Sequence, residues 1–572
     1  MSRHAFGISA VLLMLLLPAT ARAAEADLPA GAKQAEKAKH WDEALRIYDK
    51  ALAEHPERYD WWVHVSDIYA VSNQPAKAAD AAAHAVHDRP DDIKLLLKHA
   101  QLAAWAGDSA AAEQSYRALV RLNPGDDDSL YALGETISWQ GKTGQAIPVI
   151  ETYVTHRPTD KKALMFLSQL YMWDGQGKKS EEALNRYRAV AGDDAASKAA
   201  RVHLLANSGQ DYTAIAAANE ELRLLPNDCD LYSSRASAAA SSRQPGLLFD
   251  SLQHAGDTCT DKTAASNTAR QLSTPYRSFV RGQFGYSTDS DTVQIGTATL
   301  DGVLQVDPGT YLFAGVERGW LDADLGTGFE TLAGHSRVDL TGGWAGAEKQ
   351  MSDRLWLKGR VGYRDASEGG GAPLLKADAE YRPTDTLVLG FDANHDLFAV
   401  SPRTVSKDIE MTNNVLRATW RMGYSDTLNL EGGYTFLTDG NGYWTATVAP
   451  RHTLLSGQKL SIDVGASGQW TSFTKDLNNG YYDPNSYRQF LVSLFGSYAF
   501  NADNAINVAL SPGVVRDEAQ AHYERAGDYS IEGTFGLYKD WMLDARADFF
   551  QSLGQSKDYH RNEYTAGITR RF

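Results

Sequence analysis

The sequence lacks the features that mark most enzymes and helical membrane proteins. Only two cysteines occur in 572 residues, and cysteines at metal-ligand spacing are missing. No apolar run after residue 23 is long enough to span a bilayer as a helix. Nucleophile-elbow, P-loop, dinucleotide-binding and HExxH motifs are missing, and the histidines are scattered. We therefore expect no catalysis, metal or cofactor, and the net charge of −16 argues against a nucleic-acid partner.

The first 23 residues have the pattern of a secretory signal. Arg3 and His4 give a short polar start, and Val11–Leu17 forms a compact apolar core. Ala21-Arg22-Ala23 fits a small-x-small cleavage site. This pattern predicts export. Because no later helix can cross a membrane, any membrane insertion would have to use strands.

Strand-like alternation fills the last half of the chain, from Pro275 to Phe572. Leu355–Arg364 places Leu, Val and Tyr at odd positions and Lys and Arg at several even ones. Leu374–Arg382 repeats the pattern, and aromatic residues such as Trp356 and Trp420 stand near strand ends. An apolar face with aromatic ends is typical of a membrane β-barrel.

The predicted turns of this half alternate in length. Tight turns such as Asp307–Gly309 and Asn501–Asn504 alternate with mostly longer ones, such as Asp322–Gly334 and Lys475–Asn485. Short periplasmic turns and longer outer loops characterise outer-membrane barrels, and the count between turns gives about sixteen strands. A barrel of that size is wide enough for an aqueous lumen.

Strand parity predicts that charged side chains of both signs line this lumen. Such charges either pair across strands and stiffen the wall or contact a hydrated polymer. An acidic path of this kind would fit a neutral or partly cationic polymer. The residues predicted to line the path are Arg281, Arg337, Asp339, Lys358, Arg360, Arg364, Asp378, Glu380, Asp392, Asp396, Arg417, Arg421, Glu431, Asp544, Arg546 and Asp548.

A repeat with a period of 34 residues fills the section before the barrel. Prolines recur at positions 56, 90, 124 and 158, and glycines at 107, 141, 175 and 209. Small residues keep the same step at 44, 78, 112 and 146. This spacing resembles the tetratricopeptide repeat, in which glycine marks the turn between two helices and proline follows the second helix. We place repeats at about 25, 59, 93, 127, 161, 195 and 229.

A stack of such repeats presents its first helices along a groove. Tyr131 and Glu135 are predicted to face that groove. The tryptophan column Trp105, Trp139 and Trp173 has two interpretations, which are packing between helices and contact with sugars or a partner.

Cys229 and Cys259 are predicted to lie at the start and the end of the seventh helical hairpin. Those two points are neighbours in a hairpin, so we expect a disulfide in an oxidising compartment. The alternative is two free thiols.

The whole arrangement resembles the outer-membrane exporters of poly-N-acetylglucosamine, cellulose and Pel polysaccharide. The order is a signal peptide (1–23), a periplasmic tetratricopeptide domain (24–270) and a barrel (271–572). The string Gly480-Tyr481-Tyr482-Asp483-Pro484 resembles a Gly-Tyr-Phe-Ser-Pro string in a late loop of the cellulose exporters, although Asp483 departs from it. Tyr481, Tyr482 and Asp483 are accordingly expected in an exit loop.

The resemblance implies passive export of an exopolysaccharide through an outer-membrane porin. Its partners would be the polymer, the proteins that synthesise or modify it, and outer-membrane lipid. Two alternatives remain, a non-conducting receptor with a periplasmic docking scaffold and a barrel enzyme acting on lipids or glycans. Conductance separates export from the receptor, and serine and histidine substitutions test the enzyme.

Overall fold

The computed structural model describes residues 28–457, 459–501, 503–538, 540–554 and 559–572. The predicted signal segment lies outside the described residues. The chain divides into two compact units, one reaching Ser197 and one spanning Lys198–Phe572. None of the helices in the described ranges is both long and apolar enough to cross a membrane.

The first unit is built from helix–turn–helix pairs. Its helices are α1 (Ala32–Lys37), α2 (Trp41–Glu54), α3 (Tyr59–Val71), α4 (Pro75–Asp88), α5 (Ile93–Ala106), α6 (Ser109–Leu122), α7 (Asp127–Trp139), α8 (Thr143–His156), α9 (Lys161–Trp173) and α10 (Gly177–Ala191).

The 34-residue period matches these helices in phase. Gly107, Gly141 and Gly175 adopt positive φ in the turn between the two helices of a pair, a conformation that glycine takes without strain. Ala78, Ala112 and Ala146 are fully buried in the core, where a small side chain lets the paired helices approach. The predicted helical repeats are confirmed.

The second unit begins within α11 (Ala195–Asn207) and continues with α12 (Asp211–Leu222), α13 (Cys229–Ser241), α14 (Pro245–Thr258) and α15 (Lys262–Ser273). Cys229 opens α13, Cys259 caps α14, and the two form a disulfide with a Cα–Cα distance of 4.9 Å. A single 3₁₀ turn, Thr274–Tyr276, then leads to the first strand.

Sixteen antiparallel strands follow and close into a barrel in which β1 pairs with β16. They are β1 (Phe279–Asp289), β2 (Gln294–Asp307), β3 (Thr310–Asp322), β4 (Arg337–Ser352), β5 (Leu355–Ala366), β6 (Ala372–Tyr381), β7 (Leu387–Leu397), β8 (Glu410–Met422), β9 (Asp426–Leu437), β10 (Gly442–Ser456), β11 (Leu460–Phe473), β12 (Tyr487–Asn501), β13 (Asn504–Arg516), β14 (Glu524–Tyr538), β15 (Trp541–Ser552) and β16 (Tyr559–Arg571). The predicted strand number is confirmed.

The two faces of the barrel wall differ in polarity. Large apolar side chains that remain exposed, such as Val361, Leu416 and Val492, share one register face. The other face carries polar and charged side chains. In a closed barrel with an aqueous interior, an apolar face of this kind contacts lipid. The polar face is therefore the inward one.

The two barrel ends also differ. One end, here called the short-turn end, has tight connections such as Pro308-Gly309 and Asp353-Arg354, and it also holds Phe572. The opposite end, here called the long-loop end, has longer connections such as 323–336, 398–409 and 474–486. The 398–409 loop contains one further helix, α16 (Pro402–Ser406).

Candidate functional site

The barrel interior is the candidate functional site, and most of the predicted lining residues face it. Lys358, Arg360 and Arg364 lie on the inward face of β5, opposite the lipid-facing Leu357 and Val361. The register places a further set inward, namely Arg281, Asp378, Glu380, Asp392, Asp396, Arg417, Arg421, Glu431, Asp544, Arg546 and Asp548.

Many of these charges pair with one another. The Arg364 guanidinium bridges Glu317 at 2.5 Å and Asp396 at 2.7 Å, thereby linking β5 to β3 and β7. Lys376 lies 3.4 Å from Asp378 and 3.3 Å from Asp392. Charges removed from bulk water persist when they are paired in this way. The β3–β8 part of the wall is thus a largely self-compensated network.

The prediction of an inward position is wrong for two residues. Arg337 and Asp339 share the outward face of β4 with Ala345 and Ala347, and the Arg337 guanidinium lies 5.3 Å from the ring centroid of Trp320. Both residues begin β4 at the long-loop end. Outward positions there lie in the interfacial zone where aromatic side chains gather, and charged side chains remain hydrated in that zone.

Trp356 also differs from the sequence interpretation, because it faces inward and is buried instead of joining an outer aromatic belt. Its indole nitrogen donates a 2.9 Å hydrogen bond to the carbonyl oxygen of Arg243, in the turn between α13 and α14. The Arg243 guanidinium stacks on the same indole at 4.6 Å and pairs with Glu348 and with Glu380, the latter at 2.9 Å. The α13–α14 turn therefore inserts into the short-turn end.

A barrel turn also caps helix α12. Asp385, between β6 and β7, accepts hydrogen bonds from the backbone N–H groups of Tyr212 and Thr213 at 2.6 and 3.2 Å. The Gln210 side chain at the N-cap position makes no capping bond. The first amides of a helix need an acceptor, and a carboxylate there also favours the helix dipole. Asp385 is thus an N-cap supplied by a distant part of the chain.

Asp211, the first residue of α12, makes this contact sensitive to pH. It is only 4% exposed, its Oδ1 has no hydrogen-bond partner among the described residues, and its charged neighbours are Arg421, Asp385 and Arg382. Burial raises the pKa of the Asp211 carboxyl to about 6, whereas an unfolded aspartate has a pKa of about 3.9. The folded form therefore favours the protonated acid.

We expect Asp211→Asn to stabilise α12 at neutral pH. The stability contributed by protonated Asp211 is present below about pH 4 and is lost as pH rises to about 6, a change of about 2–3 kcal/mol. Hydrogen exchange of residues 211–222 in the full chain should slow in the variant at pH 7.5 and match wild type near pH 4. Asp257→Asn, at an exposed position of the same unit, is the control. An equal effect at both pH values contradicts the prediction.

At the long-loop end, the loop 474–486 is held by a buried polar cluster. Asn441 donates to the Lys475 carbonyl oxygen at 2.9 Å, the Tyr481 hydroxyl at 3.1 Å and Asp483 at 3.3 Å. Tyr482 donates to Asp517 at 2.5 Å. Burial raises the pKa of the Asp483 carboxyl above its usual range. The three predicted exit-loop residues therefore anchor a folded loop.

Helix α16 packs next to that loop and inside the wall. Val405 lies in an apolar cluster with Leu321, Leu340 and Leu397, and Leu321 and Leu340 occupy the inward register positions of β3 and β4. Ser401 caps α16 and donates to the Gly480 carbonyl oxygen at 2.6 Å. The loops 398–409 and 474–486 are consequently tied together over the barrel interior.

The predicted groove residues of the first unit fall into two groups. Tyr131 packs against Tyr153 and Phe166, and Lys162 covers its ring at 4.6 Å and reaches Glu135 at 3.2 Å. Trp173 packs against the helical core. Trp105 and Trp139 are 39% and 51% exposed, which leaves them accessible for contact.

Sequence reasoning missed Arg243, Trp356, Asp385 and Asn441 as contact residues. Each acts through a partner far away in the chain, so no local spacing reveals it. Arg243 carries one available signal, since it stands between Ser242 and Gln244 at the turn of the seventh hairpin, where glycine occupies several earlier repeats. It adopts the left-handed conformation there, with φ of 57°.

These features define a class, a closed sixteen-stranded β-barrel with an apolar outer face, preceded by tetratricopeptide repeats. A family model of the tetratricopeptide repeat matches residues 35–102 and 139–204. None of the curated protein sequences compared with the chain matches it.

Solved structures give more distant similarities. A bacterial polysaccharide outer membrane secretin is 14% identical and has a TM-score of 0.44, with 51% of this chain and 98% of that one covered. A tetratricopeptide repeat protein from Parabacteroides merdae is 16% identical with a TM-score of 0.33, covering 42% of this chain and 95% of that one. The type IV pilus biogenesis factor PilW is 16% identical with a TM-score of 0.26, covering 35% and 93%.

Proposed function

We propose that this protein is an outer-membrane porin that exports an exopolysaccharide, with its repeats in the periplasm and no catalytic activity of its own. One observation carries the proposal. A closed barrel of sixteen strands has a polar inward face, and folded elements contact that face at both ends. A barrel of this size holds an aqueous path. Folded elements at both ends of the barrel are suited to admitting one kind of polymer and excluding others.

The repeats would serve the polymer or its periplasmic enzymes. Trp105 and Trp139 present aromatic surface, and aromatic rings suit both sugar stacking and protein contact. The short-turn end would face the same compartment, because the helices lead directly into β1 at that end. The partners are therefore a polysaccharide chain, proteins that make or modify it, and outer-membrane lipid.

The test is a deletion strain with sugar analysis of the periplasm and of the medium. If the proposal is correct, one polymer disappears from the medium and accumulates in the periplasm, and the wild-type gene on a plasmid restores export. Identical sugar contents of both fractions in the deletion and parent strains would overturn export in favour of a receptor role.

Replacing Lys475–Asn485 by a short Gly-Ser turn is expected to widen the exit. The change removes Tyr481, Tyr482 and Asp483, and with them the contacts to Asn441 and Asp517. Single-channel conductance in planar bilayers should rise at least roughly twofold, because a constriction dominates the resistance of a pore.

The control for the loop replacement is a shortening of residues 324–328, in another loop at the same end. Leu325 in that segment is exposed, and we expect conductance close to wild type. Equal conductance of wild type and the 475–485 variant would show that this loop is not the constriction.

A further inference from the structure

We propose that strands β10, β11 and β12 form a binding track for an uncharged, hydroxyl-rich glycan along one side of the barrel interior. This inference rests on the proposed export function and names the substrate class. The inward positions of these strands differ from those of β3–β8. Among the inward residues of these strands that the structure describes, one ion pair joins Arg451 to Asp463 at 3.0 Å. The neighbouring inward positions are mainly Thr, Ser and Gln.

The second observation concerns hydrogen bonding. Within the described ranges, no hydrogen bond involves the side chains of these six inward residues: Thr445, Thr447, Ser467, Gln469, Thr471 and Gln489. The charged side chains of β5–β7 are by contrast largely engaged with one another. Donors and acceptors that stay open on an aqueous wall are available to whatever passes along it. Compared with β5–β7, strands β10–β12 therefore offer more open hydrogen-bonding capacity.

The strand register places three of these residues side by side. Thr447 lies directly opposite Gln469 on the neighbouring strand, and Gln469 lies directly opposite Gln489 on the next. Opposed side chains on one sheet face start about 5 Å apart. The three residues form a rung of one hydroxyl and two amides, each able both to donate and to accept. Such a rung matches the spaced hydroxyl groups of a sugar chain.

The fourth observation is where the helices enter. Hydrogen bonds and ion pairs of residues 209–258 with the barrel in the described ranges involve β4–β8 and the turns among them, through Arg243, Tyr212 and their partners. These contacts lie on the charged side of the wall. Helix α15 reaches the β12–β13 turn through the exposed Arg270–Asp503 pair at 3.4 Å. The side of the short-turn end away from β4–β8 is therefore the one that an entering polymer would follow, towards β10–β12.

The three rung residues themselves carry no charge, and the nearest charge by register is Glu431 on β9, directly opposite Thr447. An uncharged rung also fits transport. A charged track would hold an oppositely charged chain strongly and exclude one of the same sign. Neutral hydrogen bonds exchange readily with water, and each contributes only modestly to affinity. Conduction requires sites that bind enough to admit a substrate and release it again. An uncharged rung therefore selects a neutral glycan and lets it move.

The test uses the full chain in planar bilayers and measures interruption of the ion current by added oligosaccharides. The probes are cellohexaose, which is neutral, and hexagalacturonate, which is anionic. We expect cellohexaose to bind at least about tenfold more tightly than hexagalacturonate. Tighter binding of hexagalacturonate would overturn the inference.

The variants locate the track. Gln469→Leu/Gln489→Leu removes both amides at nearly constant volume, and we expect cellohexaose affinity to fall roughly tenfold or more, since two hydrogen bonds are lost. Thr447→Val, which keeps its shape, should lower affinity about threefold to fivefold. The control Gln283→Leu/Gln305→Leu changes two inward glutamines on β1 and β2 and should stay within about twofold of wild type. Equal losses in control and track variants would overturn the location.

The deletion strain separates the two proposals. If it retains its polymer inside but the track variants bind cellohexaose normally, export stands and the track is wrong. If it exports normally while the track variants lose cellohexaose binding, the glycan site stands and the export role is wrong.

Discussion

Charge reversal at Arg243 is expected to release the α13–α14 turn from the short-turn end of the barrel. Arg243→Glu would place a third carboxylate beside Glu348 and Glu380 and remove the stacking on Trp356. Breaking a buried pair costs about 3–5 kcal/mol, and partial exposure of this one reduces the expected loss to about 2–3 kcal/mol. The turn should become accessible to protease, and channel conductance should rise.

Two control variants test whether the effect of Arg243→Glu is specific to this position and to its ion pairs. Arg223→Glu makes the same charge change at an exposed position of the same unit and should leave protease cleavage and conductance unchanged. Adding Glu348→Arg to Arg243→Glu restores one pair and should recover part of the protection. Protection of the Arg243→Glu variant equal to that of wild type would contradict an anchoring role for this side chain.

Loss of the disulfide is expected to have the other large effect. Cys229 and Cys259 are 30 residues apart and join the two ends of the hairpin that carries Arg243. Closing a loop of that length reduces the entropy of the unfolded chain by the equivalent of about 3–4 kcal/mol. Cys229→Ser/Cys259→Ser should therefore lower the free energy of unfolding of α13 and α14 by about that amount, seen as faster hydrogen exchange across both helices.

Reduction provides the matched comparison for the disulfide. Dithiothreitol should accelerate exchange of residues 229–258 in wild type to the rate of the double variant, and it should leave the variant unchanged. Exchange that is insensitive to reductant, or thiol labelling of both cysteines in unreduced, unfolded protein, would contradict the prediction. The expected coupling to the barrel is testable in the same samples, because a loosened hairpin should also expose the Arg243 turn.

Arg243 and the disulfide both belong to the α13–α14 hairpin. The disulfide joins the two ends of this hairpin, and Arg243 lies at its turn, where it contacts Trp356. Asp385 of the barrel caps the preceding helix, α12. In an exporter this arrangement fixes where the polymer meets the barrel, since α12–α14 contact the β4–β8 side and α15 reaches the β12–β13 turn through Arg270 and Asp503. The uncharged β10–β12 side then remains for the glycan. Positioning of the hairpin and selection of the substrate are thus connected through the asymmetry of the wall.

Much of the fold follows from periodicity. The 34-residue spacing of prolines and glycines is local helix–turn–helix chemistry, and the helices begin at residues 59, 93, 127 and 161, in step with it. Alternation and turn residues likewise determine the strand count. Each strand needs one apolar face, and each tight turn needs residues that favour turn conformations, such as Gly, Asn, Asp and Pro. The cysteine pair follows from hairpin geometry once the repeats are placed.

Strand parity predicts only part of which side chains face the barrel interior. It places Arg364, Asp396 and Arg417 inward correctly, since mid-strand charges cannot face lipid. It fails for Arg337 and Asp339, because a charge near a strand end stays hydrated on either face. It also fails for Trp356, whose inward position is stabilised by a helix turn that lies more than a hundred residues earlier in the chain.

The sequence by itself therefore determined the repeats, the closed barrel, the polar interior and the disulfide, all of which depend on patterns within one or two elements. Only the tertiary structure decided which side of the interior is compensated and which is open. Pairing of Arg364 with Glu317 and Asp396, capping of α12 by Asp385, and the Thr447–Gln469–Gln489 rung each join segments that are distant in the chain. Their energies depend on distance in space, which no spacing in the chain specifies.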